Sequence, residues 1–162
     1  MKKICGLLLG ALVASTGLSA LPAGAPTAFA HGEHEHFAAG EPGDPKQPFR
    51  IVKVTMLENG KKMLFEPAML QVRLGEQVRF EIFNEGTWNH EFVLATAAAN
   101  RKHAELMKRF PDMEHNDPNA VRLAPFASGA ILWKFTKPGV FEYDCLIPGH
   151  LVAGMHGTVT VK

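Results

Sequence analysis

Near the C-terminus of this 162-residue chain runs Glu142-Tyr143-Asp144-Cys145-Leu146-Ile147-Pro148-Gly149-His150-Leu151-Val152-Ala153-Gly154-Met155, which sets a thiol, an imidazole and a thioether at C-x4-H-x4-M spacing. Strand-like runs flank it, Val140 to Tyr143 on one side and Gly157 to Val161 on the other, so the three donors occupy a loop held at both ends. A thiolate and a thioether together select a soft metal, and a Cys/His/His set with a long, weak axial Met is the donor set of an electron-transfer copper centre. The missing imidazole has to come from upstream. His90, in Thr87-Trp88-Asn89-His90-Glu91-Phe92-Val93-Leu94, stands at the mouth of a strand-like run and is the best candidate. The alternative is a buried Cys acting as a small hydrophobe beside a Met that merely packs. That reading would have to explain the regular spacing, the two glycines and proline that shape the loop, and a His-bearing strand end.

From Phe49 to Lys162 the chain resembles the cupredoxin family, and the four-plus-four ligand loop is most similar to the rusticyanin-like branch. The resemblance implies an all-β Greek-key sandwich, here with a short helical insertion. It also implies one type 1 copper with His90, Cys145 and His150 as equatorial ligands and Met155 as the axial one. The chain departs from plastocyanin-like and azurin-like proteins at Glu91, where they carry Asn or Ser beside the first His, a neighbour that tunes the sulfur and with it the potential and colour. His156 follows Met155 directly, but adjacent residues on an extended chain face opposite ways, so it is not expected to be a ligand.

The chain opens with Met1-Lys2-Lys3, an apolar run from Ile4 to Leu21 and the small-x-small site Ala28-Phe29-Ala30, the pattern of a secretory signal peptide over residues 1–30. A mature protein starting at His31 is then expected in the periplasm, without membrane insertion. Cys5 leaves with the signal, and Cys145 remains as a single thiol that ligation to copper would protect. Losing Lys2 and Lys3 takes the formal charge from +1 to −1, a balance that argues against nucleic acid or an anionic membrane as partner.

His31, His34 and His36 crowd three imidazoles into six residues and form a candidate second copper site, the alternative being a solvated tail. Residues 37–48, with Gly40, Pro42, Gly43, Pro45 and Pro48, read as a flexible linker, and residues 49–162 as the cupredoxin domain. Period-two alternation marks strands at Phe49 to Leu57, Met63 to Glu66, Ala68 to Leu74, Val78 to Phe83, His90 to Ala95 and Ser128 to Thr136. Glu58-Asn59-Gly60-Lys61 reads as a turn. Residues 96–120 break the pattern: Thr96 is a candidate N-cap, the following residues favour helix, and Pro111 stops it. Within this insertion His103, Met107, Met113 and His115 are weaker copper candidates. The favoured reading there is that Met107 packs and both histidines are solvated.

One cysteine excludes a two-cysteine copper centre, and Cys145 lacks the flanking histidines that feed a trinuclear cluster. Zinc has little use for Met, and no hydrolase triad, phosphate loop or dinucleotide fingerprint is present. Two functional readings remain. The whole chain looks like the bacterial CopI-type copper-tolerance cupredoxins, a resemblance that implies a binding protein for periplasmic copper, with oxidation of Cu(I) as a further activity to be tested. The other reading is a soluble electron carrier, not an enzyme, whose protein partner docks on the apolar rim of Pro148, Leu151, Val152 and Ala153 around His150.

Overall fold

The computed structural model describes residues 37–111 and 117–162. The expected signal segment, together with His31, His34, His36, Met113 and His115, lies outside the described residues. In chain order the elements are β1 (Glu41–Pro42), β2 (Arg50–Asn59), β3 (Lys62–Glu66), β4 (Met69–Val72), β5 (Gln77–Asn84), β6 (His90–Ala95), α1 (Ala97–Arg109), β7 (Ala120–Leu123), β8 (Ser128–Lys134), β9 (Gly139–Asp144) and β10 (His156–Val161). They form two five-stranded sheets, ordered β1-β8-β5-β2-β3 and β4-β10-β9-β6-β7. Both are mixed: β2 runs parallel to β5 and β10 parallel to β4, while the remaining pairs are antiparallel. This is the all-β sandwich.

Alternation decides which side chains go inside. In β5, Val78, Phe80 and Ile82 are buried and Arg79, Glu81 and Phe83 point outward, as a strand with one solvated face must. The centre of the core is aromatic: Phe92 stacks on Tyr143 at 5.0 Å and 17°, Phe65 meets Tyr143 edge-on at 5.3 Å, and Phe80 lies 5.3 Å from Phe92. β6 differs, being buried at every position, and its outer face is where the helix packs. Met107 of α1 joins Val93 of β6 and Leu146 in a small separate apolar cluster. The helix begins as the sequence indicates, with Thr96 Oγ1 accepting from the Ala99 N–H at 3.2 Å, and it ends at Phe110 before Pro111.

Three expectations need correction. The Gly/Pro-rich stretch read as a linker lies against the sandwich from Phe37 onward. Ala39 is fully buried, Phe37 packs on Trp133 with ring centres 5.7 Å apart, and Glu41 and Pro42 pair with Lys134 and Trp133 on the edge of β8. Its glycines serve close approach: a Cβ on Gly40, whose φ is +144°, would meet the Trp133 indole nitrogen at 2.9 Å. Pro suits an edge strand because a missing N–H costs no ladder bond there. Second, His103 is buried on α1 and not solvated, because the helix is clamped against β6 and β9 and its inner face carries Ala99, Asn100, His103 and Met107. Third, β7 was not anticipated; its four residues alternate too briefly to stand out, and it forms by pairing with β6.

Candidate metal centre

The ligand loop is shaped before any metal is considered. β9 delivers Cys145 at its end, and the chain turns back through Gly149 (φ +93°) and Gly154 (φ +102°), a conformation that only glycine adopts without cost. Backbone bonds close the loop: Met155 N–H donates to His150 O at 3.1 Å, Ala153 N–H to Gly149 O at 3.0 Å, and Cys145 N–H to Met155 O at 3.2 Å. A further bond ties the loop to β3, from Met63 N–H to Ala153 O at 3.1 Å. His156 then opens β10 facing solvent while Met155 is fully buried, so His156 points away from the centre.

Three donor atoms converge here. His90 Nδ1 lies 3.1 Å from His150 Nδ1, which in turn lies 3.3 Å from Cys145 Sγ. Among the described residues these three form a group whose ligand atoms all lie within 4.8 Å of one another, and all three side chains are buried. One first-row ion with bonds of about 2.0–2.3 Å can reach donors spaced this closely. The set of two imidazoles and a thiolate, with a buried thioether on the same short loop, fits copper better than a hard cation.

The electrostatics leave the nitrogens free to ligate. Burial lowers His90 below the usual imidazole range, against the raising pull of Glu58. Burial, then the neighbouring His90, push His150 down to about 4. Both rings are therefore neutral at pH 7. Burial pushes the Cys145 thiol up to about 12, although N–H groups of Glu91 and Ile147 pull the other way. The copper-free thiol is thus protonated, and a metal that takes it must displace that proton.

The departure at Glu91 has a structural answer. The bond to sulfur comes from the Glu91 backbone N–H, 3.3 Å from Cys145 Sγ, so it does not need an Asn or Ser side chain. The Glu91 carboxyl is buried beside Arg122 of β7, Oε1 lying 3.6 Å from Nη1, and its Oε2 has no hydrogen-bond partner among the described residues. Burial raises its pKa, against the pull of Arg122.

Of the weaker candidates, Met107 lies fully buried in the apolar cluster with Val93 and Leu146, where its thioether packs. Two residues that the sequence did not single out touch the centre. Trp88 is 60% exposed, with its ring 6.4 Å from His150 and nearly perpendicular to it. Glu58, read from sequence as part of a turn, sits at the end of β2 with Oε1 3.2 Å from His90 Nε2. A His at the start of a strand gives no hint of a carboxylate partner 32 positions upstream. The rim around His150 is graded, Pro148 and Val152 being exposed and Leu151 and Ala153 half-buried.

Residues 52–162 match the family model described as copper binding proteins, plastocyanin/azurin family. The chain is 48% identical over 160 residues to the copper-resistant cuproprotein CopI of Rubrivivax gelatinosus, covering 96% of this chain and 94% of that one. It is 33% identical to the protein of the same description from Pseudomonas aeruginosa, covering 82% and 85%. Among solved structures, auracyanin B aligns with a TM-score of 0.60 at 26% identity, over 76% of this chain and 96% of that one.

Proposed function

Because the chain belongs to the plastocyanin/azurin family of copper-binding proteins, we propose that it binds copper through His90, Cys145, His150 and Met155 and serves copper resistance in the periplasm. The cofactor is copper. The observation that carries the reading is the convergence of His90 Nδ1, His150 Nδ1 and Cys145 Sγ in one buried cluster. The name shared by the two relatives supports the resistance role. Export is supported by the signal-like residues 1–30 alone.

Copper in such a site supplies a one-electron Cu(II)/Cu(I) couple. The protein's part is to hold two neutral imidazoles and a thiol at fixed spacing, to release the thiol proton on loading, and to exclude water. Met155, the weakest donor of the four, would tune the copper's potential more than hold the ion. The only ligand near the surface is His150, and the exposed Val152 and Trp88 beside it offer an apolar face to a redox or copper-transfer partner. This face favours the second reading, a soluble electron carrier. The copper-tolerance reading adds a second copper that the amine of a mature N-terminus at His31 and the imidazoles of His31, His34 and His36 would hold, with the main centre able to take one electron from incoming Cu(I) and pass it to a redox partner.

Titrating the mature protein with Cu(II) at neutral pH, with and without residues 31–36, separates the two. Two tight equivalents falling to one on deletion, with copper-sensitive growth of a strain carrying the deletion, is the expected result. One equivalent in both proteins and unchanged growth would return the electron-carrier reading to first place. Amine and imidazole ligands must be deprotonated to bind, so occupancy of the tail should also weaken as pH falls from roughly 8 to 6.

A further inference from the structure

Behind His90, on the side away from the donor cluster, the Glu58 carboxylate collects four donors. Oε1 accepts from Thr87 N–H at 2.8 Å and Trp88 N–H at 2.9 Å and lies 3.2 Å from His90 Nε2, while Oε2 accepts from the Thr87 hydroxyl at 2.9 Å. The loop before β6 therefore wraps this one carboxylate. Gly86 makes the wrapping possible: a Cβ there would land on Glu58 Oε1 and lie 2.9 Å from Glu58 Cδ. Two backbone N–H groups, which can only donate, converge on Oε1, a setting that favours the charged, acceptor-only form of the carboxylate.

An ionised carboxylate only accepts hydrogen bonds, so His90 Nε2 must carry the proton. In a neutral ring the lone pair then sits on Nδ1, the atom facing His150 and Cys145. A negative charge behind a ligating imidazole also raises its basicity, and it favours the more highly charged of two metal oxidation states. We propose that Glu58 is a positioning residue for the copper centre: it fixes His90 in the Nε2–H tautomer and lowers the reduction potential of the bound copper. The proposal rests on the copper-ligand reading given above.

The test uses the full mature chain in two forms. In copper-free protein, nitrogen NMR of the histidine rings should show His90 as a single Nε2–H tautomer, and Glu58→Leu should give a tautomer mixture. In the copper-loaded protein, Glu58→Gln, which keeps the size and an acceptor oxygen but removes the charge, should raise the potential. Outer-sphere partners of metal-bound His change affinity by roughly 10–100-fold. A tenfold loss of Cu(II) relative to Cu(I) affinity reads as about 59 mV in a one-electron couple. Glu58→Asp, which keeps the charge, should stay closer to the unsubstituted protein.

Should the Glu58 variants fail to fold, Gly86→Ala displaces the carboxylate while sparing every ligand and every charge, and it should shift potential and tautomer in the same directions. A coloured protein whose potential does not move in Glu58→Gln or Gly86→Ala, or whose His90 tautomer ignores Glu58, overturns the proposal. A protein that never develops thiolate-to-copper absorption instead defeats the ligand reading, and the copper-free tautomer measurement still decides the role of Glu58.

Discussion

A single methyl group at Gly157 should measure how tightly the core behind the metal loop is packed. A Cβ at this second residue of β10 would overlap the Tyr143 ring and lie 2.6 Å from its hydroxyl oxygen. The ring has nowhere to go. Phe92 stacks on it at 5.0 Å, Phe65 meets it edge-on at 5.3 Å, and its hydroxyl donates to Pro67 O. Relief requires moving β10 or breaking that hydrogen bond. Overpacking of this kind costs about 1–3 kcal/mol, and loss of the hydrogen bond about 1 kcal/mol. Against this, Gly→Ala restricts the unfolded chain, a gain of about 0.4–1 kcal/mol. The clash wins, and Gly157→Ala should lose roughly 2 kcal/mol net. Urea denaturation of the copper-free protein is the assay, since bound copper would add its own stabilisation. Repeating it in a Tyr143→Ala background, where the ring is gone, should leave Gly157→Ala neutral or slightly stabilising, a coupling of about 1–3 kcal/mol. Equal costs in the two backgrounds, or no cost in the first, would refute the packing argument.

Replacing Cys145 with Ser should abolish the intense visible absorption of the Cu(II) protein, because the thiolate is its source; a Cys145→Ser protein that stays blue or green would remove Cys145 from the ligand set. Met155→Leu should still bind copper but at a raised potential, measured by redox titration, because the weak thioether donor that would favour Cu(II) is lost. Asp144 lies buried beside Cys145, its pKa pushed up to about 7 by burial and then by the charge of Glu142, while Asn100 Nδ2, donating at 2.9 Å, pulls it down. A folded pKa above the unfolded 3.8 means stability is fully present below that value and is lost as pH rises toward 7. Asp144→Asn should therefore gain on the unsubstituted copper-free protein between those limits, by at most about 4 kcal/mol at 1.36 kcal/mol per unit. Parallel stability profiles for the two proteins would show that Asp144 is not the titrating group.

What the sequence made legible was local or strictly periodic. Cys145, His150 and Met155 share one short loop, so their spacing is itself the signal, and His90 announces itself by standing where a loop becomes a strand. Thr96 and Pro111 bracket the helix through capping chemistry that acts within a few residues. What stayed hidden depends on contacts between distant parts of the chain. Gly40 and Pro42 have the composition of a linker and also that of an edge strand pressed close to its neighbour; only the presence of β8 tells the two apart. His103 carries no mark of burial in sequence, because burial comes from the way α1 lies on β6 and β9. Glu58 belongs to a turn by local composition, and it acquires a role only because β2 ends beneath the loop that precedes β6.

The same separation explains why the site can be rigid without the metal holding it. The Cys145 N–H to Met155 O and Met155 N–H to His150 O bonds connect the loop donors through backbone alone, and the Met63 N–H clamps the loop from the other sheet's edge strand. β9 and β10 continue this clamp from below, with Asp144 opposite His156 and Tyr143 opposite Gly157. The fourth donor, His90, is fastened independently: its backbone by pairing with Leu123 of β7 and its ring by Glu58. Each donor is therefore placed by contacts that do not involve the metal, and the apolar core of Phe80, Phe92, Trp133 and Tyr143 is complete without it. Such a frame resists the changes in bond length that a copper ion would otherwise impose when its charge changes. It also confines the adjustable parts of the centre to a few groups around the donors: the Glu91 N–H at the sulfur, the Met155 thioether and the Glu58 carboxylate. Of these, the Glu91 N–H and the Glu58 carboxylate lie outside the apolar cluster, while Met155 is packed into it.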